Sequence, residues 1–294
     1  VVLLMAAGCG SQLVEFGNNP TDASIGIPDT ATTDASSAID GVSPPDARLI
    51  DSPVTIDGAT IDGTTIDGTT IDGGILVSPI NLRSLATFVA VAGAGLTNSN
   101  SAGVTVLGGD VGLSPTATCL SDGLPCNPPA GAPTITGTLY AADPGGIAAQ
   151  AKADLVLAYV EATGKPPGTL EADLSGLILV PGTYTSASTM MIAVNGTLTL
   201  DGGGDSNASW IFQIGSALTV NNGAQVLLIN GAKAANVFWA IGSSSTLGSG
   251  VHFKGTVLAQ SSNSVGTGST VEGRLLCTTG QITLLSNTIT LPAP

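Results

Sequence analysis

Two stretches 18 residues apart constrain this chain more than any other feature. IGSSSTLGSGVHFKG (241–255) and AQSSNSVGTGSTVEG (259–273) superpose so that Ser243, Ser244, Gly250 and Gly255 fall on Ser261, Ser262, Gly268 and Gly273. Thr246 then falls on Ser264, Leu247 on Val265 and Lys254 on Glu272. Imperfect copies stand upstream (GSALTVNNG, 215–223) and downstream (TGQITLLSN, 279–287). A period near 18 with short β-type runs and glycine at the corners predicts stacked coils of a β-solenoid. Each coil buries its Val/Leu row and turns Ser and Thr outward.

Only 10% of the 294 residues are charged and 3% aromatic, so charged catalytic machinery is scarce. The net charge of -14 is unevenly placed: residues 1–75 hold 11 acids and one base (Arg48), leaving 10 acids and 6 bases in 76–294. The C-terminal part is therefore mildly anionic. It has no basic stripe for phosphates, which argues against nucleic acid as a partner.

The opening VVLLMAAGCGSQ is an apolar run ending in small residues before a lone cysteine. It resembles the tail of a bacterial lipoprotein signal, with Cys9 lipidated, although Ala6 stands where Leu is usual. On that reading residues 1–9 are a signal remnant. The chain is then exported as an outer-membrane or cell-surface lipoprotein, or otherwise secreted, and meets a membrane through that anchor alone. Residues 10–75 are Pro, Asp, Ser, Thr, Ala and Gly with few large apolar side chains. They read as a disordered acidic tether containing TIDGA, TIDGT, TIDGT and TIDGG. The Asp-Gly pairs fit neither EF-hand nor nonapeptide calcium spacing.

The folded domain is expected over 76–294. After Pro144 a helix is expected over about 145–163, with Ile147, Ala151, Leu155 and Tyr159 as its apolar stripe and Lys152, Asp154 and Glu161 on other sides. A lone helix among strands is expected to lie alongside them and cover an apolar face. WIFQI, VFWAI, TVLAQ and RLLCT are apolar nearly throughout and belong under it. Trp210 and Trp239 read as core anchors. Cys119 and Cys126 suggest a disulfide stapling a loop, and Cys277 a buried small side chain. His252 reads as a surface or ladder residue, and Lys254 with Glu272 as a pair across neighbouring coils. Asp110, Asp201 and Asp205 are scattered rather than clustered, so no enzyme, catalytic residue, metal site or cofactor is expected.

Several words of the sequence, in order, resemble the microbial ice-binding (antifreeze) proteins: GGDVGLSP (108–115), LYAAD (139–143), LVPGTY (179–184), WIFQIGSALTVNNGA (210–224), NVFWAIG (236–242), VHFKGTVLAQ (251–260), GRLL (273–276) and NTIT (287–290). The resemblance implies a mainly β fold, an irregular right-handed parallel β-helix of three faces with one long α-helix alongside. It also implies a capping loop, about 117–133, and a flat face that binds ice. The chain itself is expected to be a monomer. That face follows the LLAQ-like words, which match here at Gln260 and Thr278. With Val220, Leu247, Val265 and Leu284 inward, strand parity turns Thr219, Thr246, Ser264 and Thr283 outward, and Ala217, Ser244, Ser262 and Gln281 two places earlier. Ser243, Ser261, Thr267 and Thr279 are candidates at its margins. Ser in place of Thr, and the bulky Gln281, imply moderate or weak activity. The alternative is a surface-tethered β-helix adhesin or matrix protein without ice activity.

Overall fold

The computed structural model describes residues 78–100, 102–126, 133–141, 143 and 145–293, with the backbone of 55–56 and 59–60. The chain divides into two units, Val1–Gly68 and Thr69–Pro294. In the first, Thr55–Ile56 pairs antiparallel with Ala59–Thr60, either side of one Asp-Gly of the TIDG repeats. Cys9, the signal remnant 1–9 and the rest of the 10–75 tether lie outside the described residues.

The second unit is built of two sheets whose strands run parallel, apart from one short hairpin, and one long helix. In the longer sheet, of 15 strands, His252–Ala259 and Thr270–Cys277 are 8 residues long and belong to two arms at once. Their first halves pair with Gln225–Ile229 and Thr288–Thr290, their second halves with Val237–Ile241 and Phe88–Ala92. Gly255 and Gly273 stand at the change of arm. A Cβ at Gly273 would sit 1.8 Å from the Gly255 carbonyl oxygen, so no side chain fits there.

The shorter sheet has eight strands. In spatial order they are Met190–Ile192, Leu218–Val220, Ser245–Leu247, Asn263–Val265, Ile282–Leu285, Leu96–Ser99, Cys119–Ser121 and Leu124–Pro125. Within this sheet the 18-residue step holds for a single interval, Ser245 to Asn263; Leu218 pairs with Ser245, 27 residues on. The extra length lies between Gln225, which pairs with His252, and Phe238, which pairs with Thr256, and holds the rest of that strand, a turn and a 3₁₀ segment.

The core has two layers. Between the sheets lie Trp210, Phe212, Trp239, Phe253, Leu218, Val220 and Leu284, all at most 1% exposed. Tyr184, Phe212, Trp239 and Phe253 form one file of rings, with Phe212 stacked on Trp239 at 3.9 Å. The indole N–H of Trp239 donates to the Lys254 carbonyl (3.0 Å) and that of Trp210 to the Leu179 carbonyl (3.1 Å). Both tryptophans are thus fully spent on packing. A second layer, with Val91, Ile211, Phe238, Leu258 and Leu276, lies between the longer sheet and the helix Ile147–Thr163. Those strands are apolar on both sides because both sides are covered.

The helix buries Ala148, Ala151, Leu155, Ala158 and Ala162. Ile147 is 44% exposed and Tyr159 only partly buried, which corrects the stripe read from steps of four. Four-residue steps drift by about 40° around the axis each time, whereas alternating three and four keeps to one side. Alanine on that side lets the helix lie close to the sheet. Asp154 is also under the helix, 6% exposed, a second correction. Its carboxylate accepts from the Ser84 hydroxyl and N–H (2.5 and 3.2 Å) and from Gln150 (3.1 Å), tying the 3₁₀ segment Arg83–Thr87 to the helix. Arg274, 7% exposed, clamps the same segment through the Leu85 and Ala86 carbonyls. The Asp143 carboxylate accepts from Ile147 and Ala148 at the helix start, and Gln213 donates to the Ala162 and Lys165 carbonyls at its end. Among the described residues no helix is long and apolar enough to cross a membrane.

Candidate functional site

The shorter sheet turns one uninterrupted row of side chains outward. Its strands are in register, so Met191, Thr219, Thr246, Ser264, Thr283, Thr97 and Leu120 follow one another across seven strands. Their neighbours along each strand point inward: Leu218 and Val220, Leu247, Val265, and Ile282 with Leu284 are buried. The five central members of the row are hydroxyl-bearing and uncharged.

A second row continues the ladder one step before each strand. The N–H groups of Leu218, Ser245, Asn263, Ile282 and Leu96 donate to the carbonyls of Ser244, Ser262, Gln281, Gly95 and Thr118. Ala217, Ser244, Ser262, Gln281, Gly95 and Thr118 are thereby side by side. Gln281 is exposed, next to a glycine that leaves its flank open. Ser243 and Ser261 stack at the corner before these strands, the Ser261 N–H donating to the Ser243 carbonyl (2.8 Å). Thr279 spends its hydroxyl on the Gln260 carbonyl at 2.7 Å. Thr267 lies at the opposite corner, its carbonyl accepting from Gly250, away from both rows.

Not every hydroxyl of these strands faces out. Ser245 and Asn263 point into the core, 1% and 0% exposed, and the Ser245 hydroxyl donates to the Asn263 side-chain oxygen at 2.6 Å. The Asn263 amide nitrogen has no partner there.

The row's electrostatics follow from what is missing beside it. Acidic groups stand near its two ends: Asp173 bridges to Met191, and Asp122 follows the Cys119–Ser121 strand. The exposed arm of the longer sheet is different. It carries His252, bonded through Nδ1 to the Thr270 hydroxyl (2.8 Å), and a Lys254–Glu272 ion pair of 2.6 Å. The other arm is covered by the helix. Among the described residues, the outward row of the shorter sheet is uncharged across its middle.

Thr97 was not legible in the sequence as part of this row. It pairs with Thr283 from the far end of the chain, and no repeat links the two segments. Beyond Thr97 the row ends on a hairpin, Cys119–Ser121 antiparallel to Leu124–Pro125, closed by the Cys119–Cys126 disulfide. This hairpin lies within the expected capping loop, of which 127–132 lie outside the described residues. Cys277 is buried, and burial pushes its thiol up to about 11. Among the described residues no group of three or more His, Cys, Asp or Glu side chains could hold a metal ion.

The scaffold is thus a parallel-strand one, with one arm of its longer sheet under a helix and an outward hydroxyl-bearing row on its shorter sheet. The profile of the family described as Ice-binding-like matches residues 90–290. An ice-binding protein of Nostoc sp. (strain HG1) is 36% identical over 212 residues, 71% of this chain and 72% of that one. One of Flavobacterium frigoris (strain PS1) is 32% identical over 226 residues, 72% of this chain and 76% of that one. The crystal structure of an ice-binding protein from an Antarctic biological consortium superposes with a TM-score of 0.67 at 37% identity, covering 78% of this chain and 97% of that one. The chain belongs to the ice-binding-like family.

Proposed function

We propose that this protein binds ice through the outward rows of its shorter sheet and so slows growth or recrystallisation of the crystal. The observation that carries the reading is the register of Thr219, Thr246, Ser264, Thr283 and Thr97. Parallel strands stack about 4.8 Å apart and alternate residues project about 6.7 Å apart, so two rows make a grid of small groups. Their hydroxyls hold water by hydrogen bonds while the threonine methyls and Ala217 let it order between them. The grid is held by backbone pairing before ice arrives, so little entropy is lost on docking. Charged groups would impose their own hydration, and the centre of the grid has none. The proposal includes the finer fold, a right-handed β-helix of three faces: this sheet, the arm under the helix and the arm bearing His252. Gln281 and Leu285 project among smaller neighbours, which supports moderate rather than high potency.

The comparisons support ice binding and lend nothing to an adhesin without ice activity. Export, lipidation at Cys9 and a tether over 10–75 belong to the proposal on the sequence alone. Mass spectrometry of the chain expressed in a bacterial host tests the anchor, a lipid-modified N-terminal peptide being expected. For the site, Thr246→Tyr should abolish ice shaping while the melting temperature stays within a few degrees, since Thr246 is exposed. Unchanged crystal morphology with Thr246→Tyr would reject this surface as the ice contact.

A further inference from the structure

The helix carries two apolar stripes on opposite sides, and the fold uses one. Ala148, Ala151, Leu155, Ala158 and Ala162 are buried against the longer sheet. Diametrically opposite, Ala149, Ala153, Val156 and Val160 follow at steps of four, three and four, and all are exposed. Val156 and Val160 are 43% and 59% exposed, with Leu157 beside them at 50%. The water-facing side of a surface helix is ordinarily polar, and steps of four, three and four are the spacing of a helix-pairing seam.

We propose that this stripe docks a second copy of the chain, in place of the monomer expected from the sequence, helix against helix and antiparallel, about a two-fold axis between Ala153 and Val156. The order of sizes makes the stripe complementary to itself only in that direction. Antiparallel pairing sets Ala149 of one copy against Val160 of the other, and Ala153 against Val156, small facing large throughout. Parallel pairing sets alanine on alanine and valine on valine, leaving gaps beside crowding. Charge agrees with size. The antiparallel axis brings the Asp143 end of one helix beside the Lys165 end of the other and opposes the two helix dipoles, whereas a parallel pair places like ends together. The nearest cation on the helix, Lys152, is turned down onto its own sheet, donating to the Cys277 carbonyl at 3.4 Å.

The helix is 17 residues, about 25 Å long. So short a seam is expected to pair reversibly, the dimer forming as concentration rises. The helix packs on strands of the longer sheet, and pairing therefore leaves the Thr246 row uncovered.

Sedimentation velocity of the full chain over about a hundredfold range of concentration tests this by mass action, with a monomer–dimer equilibrium expected. Val156→Glu with Val160→Glu should weaken association by more than about tenfold, with the melting temperature and uptake into ice unchanged. A wild-type chain that stays monomeric throughout, or a double variant that associates like wild type, overturns the proposal. Direction is read separately by mixing Ala149→Cys and Val160→Cys chains under oxidising conditions. The antiparallel pair gives the mixed disulfide dimer, and a dimer of Ala149→Cys with itself overturns the antiparallel arrangement. Ice uptake reports on the Thr246 row alone, so loss of dimerisation and failure of the ice-binding reading are told apart.

Discussion

Single residues show where alternation along a strand is a sufficient guide and where it is not. Thr219, Thr246, Ser264 and Thr283 could be placed outward because each stands beside an apolar residue, Val220, Leu247, Val265 or Leu284, whose burial fixes the parity of its strand. Ser245 and Asn263 show the limit, since their polarity suggests the outside while the ladder turns them in. Asp154 shows it again: a carboxylate on a helix reads as solvated until Ser84, 70 residues earlier, is seen to cap it. Its hydrogen bonds, the Ser84 hydroxyl first, hold its carboxyl below the usual range. A depressed folded-state pKa contributes stability above the unfolded value near 3.8, lost as pH falls through the folded value. Asp154→Asn should therefore lower stability by about 1–3 kcal/mol at neutral pH, the gap to wild type closing in acid. Thermal melts of both chains between neutral pH and pH below the carboxylate range check this; a gap that persists in acid contradicts it.

At the scale of elements, the strands were readable, and so were the partners that the 18-residue copies set side by side, such as Lys254 and Glu272, while the long-range partners were not. The apolar run of Trp210–Ile214 implies cover on both sides, which the ring file and the helix supply. Sequence order cannot say that Phe88–Ala92, Leu96–Ser99 and Val106–Gly108 stack on strands near the C-terminus, because that pairing closes loops of more than 180 residues. The two long strands have a sharper signature in Gly255 and Gly273. Gly273→Ala forces Cβ into the Gly255 carbonyl, and the strand must shift, so a loss of about 2–4 kcal/mol is expected. Trp239→Ala, which empties the middle of the ring file, should cost about 3–5 kcal/mol. Denaturant titration measures both, and a cost below about 1 kcal/mol for either would mean that the corner or the file is not as tightly packed as described.

For the molecule as a whole, the helix separates two jobs. After the disulfide hairpin, the chain crosses the length of the longer sheet as a helix and then winds back from Thr169–Leu170 toward its own beginning. The first and last thirds thereby meet, which is why Thr97 joins a row made mostly of residues beyond 218. The family words carried the fold class, and strand parity carried the outward row of the shorter sheet. The full extent of the row depended on this long-range closure and was legible only in part. The most direct test is incorporation of a fluorescently labelled chain into a slowly growing ice hemisphere, wild type beside Thr246→Tyr and beside His252→Tyr on the exposed arm. Wild type and His252→Tyr should be taken into the ice and Thr246→Tyr left in the liquid. Exclusion of wild type, or loss of uptake with His252→Tyr and not with Thr246→Tyr, would contradict the account.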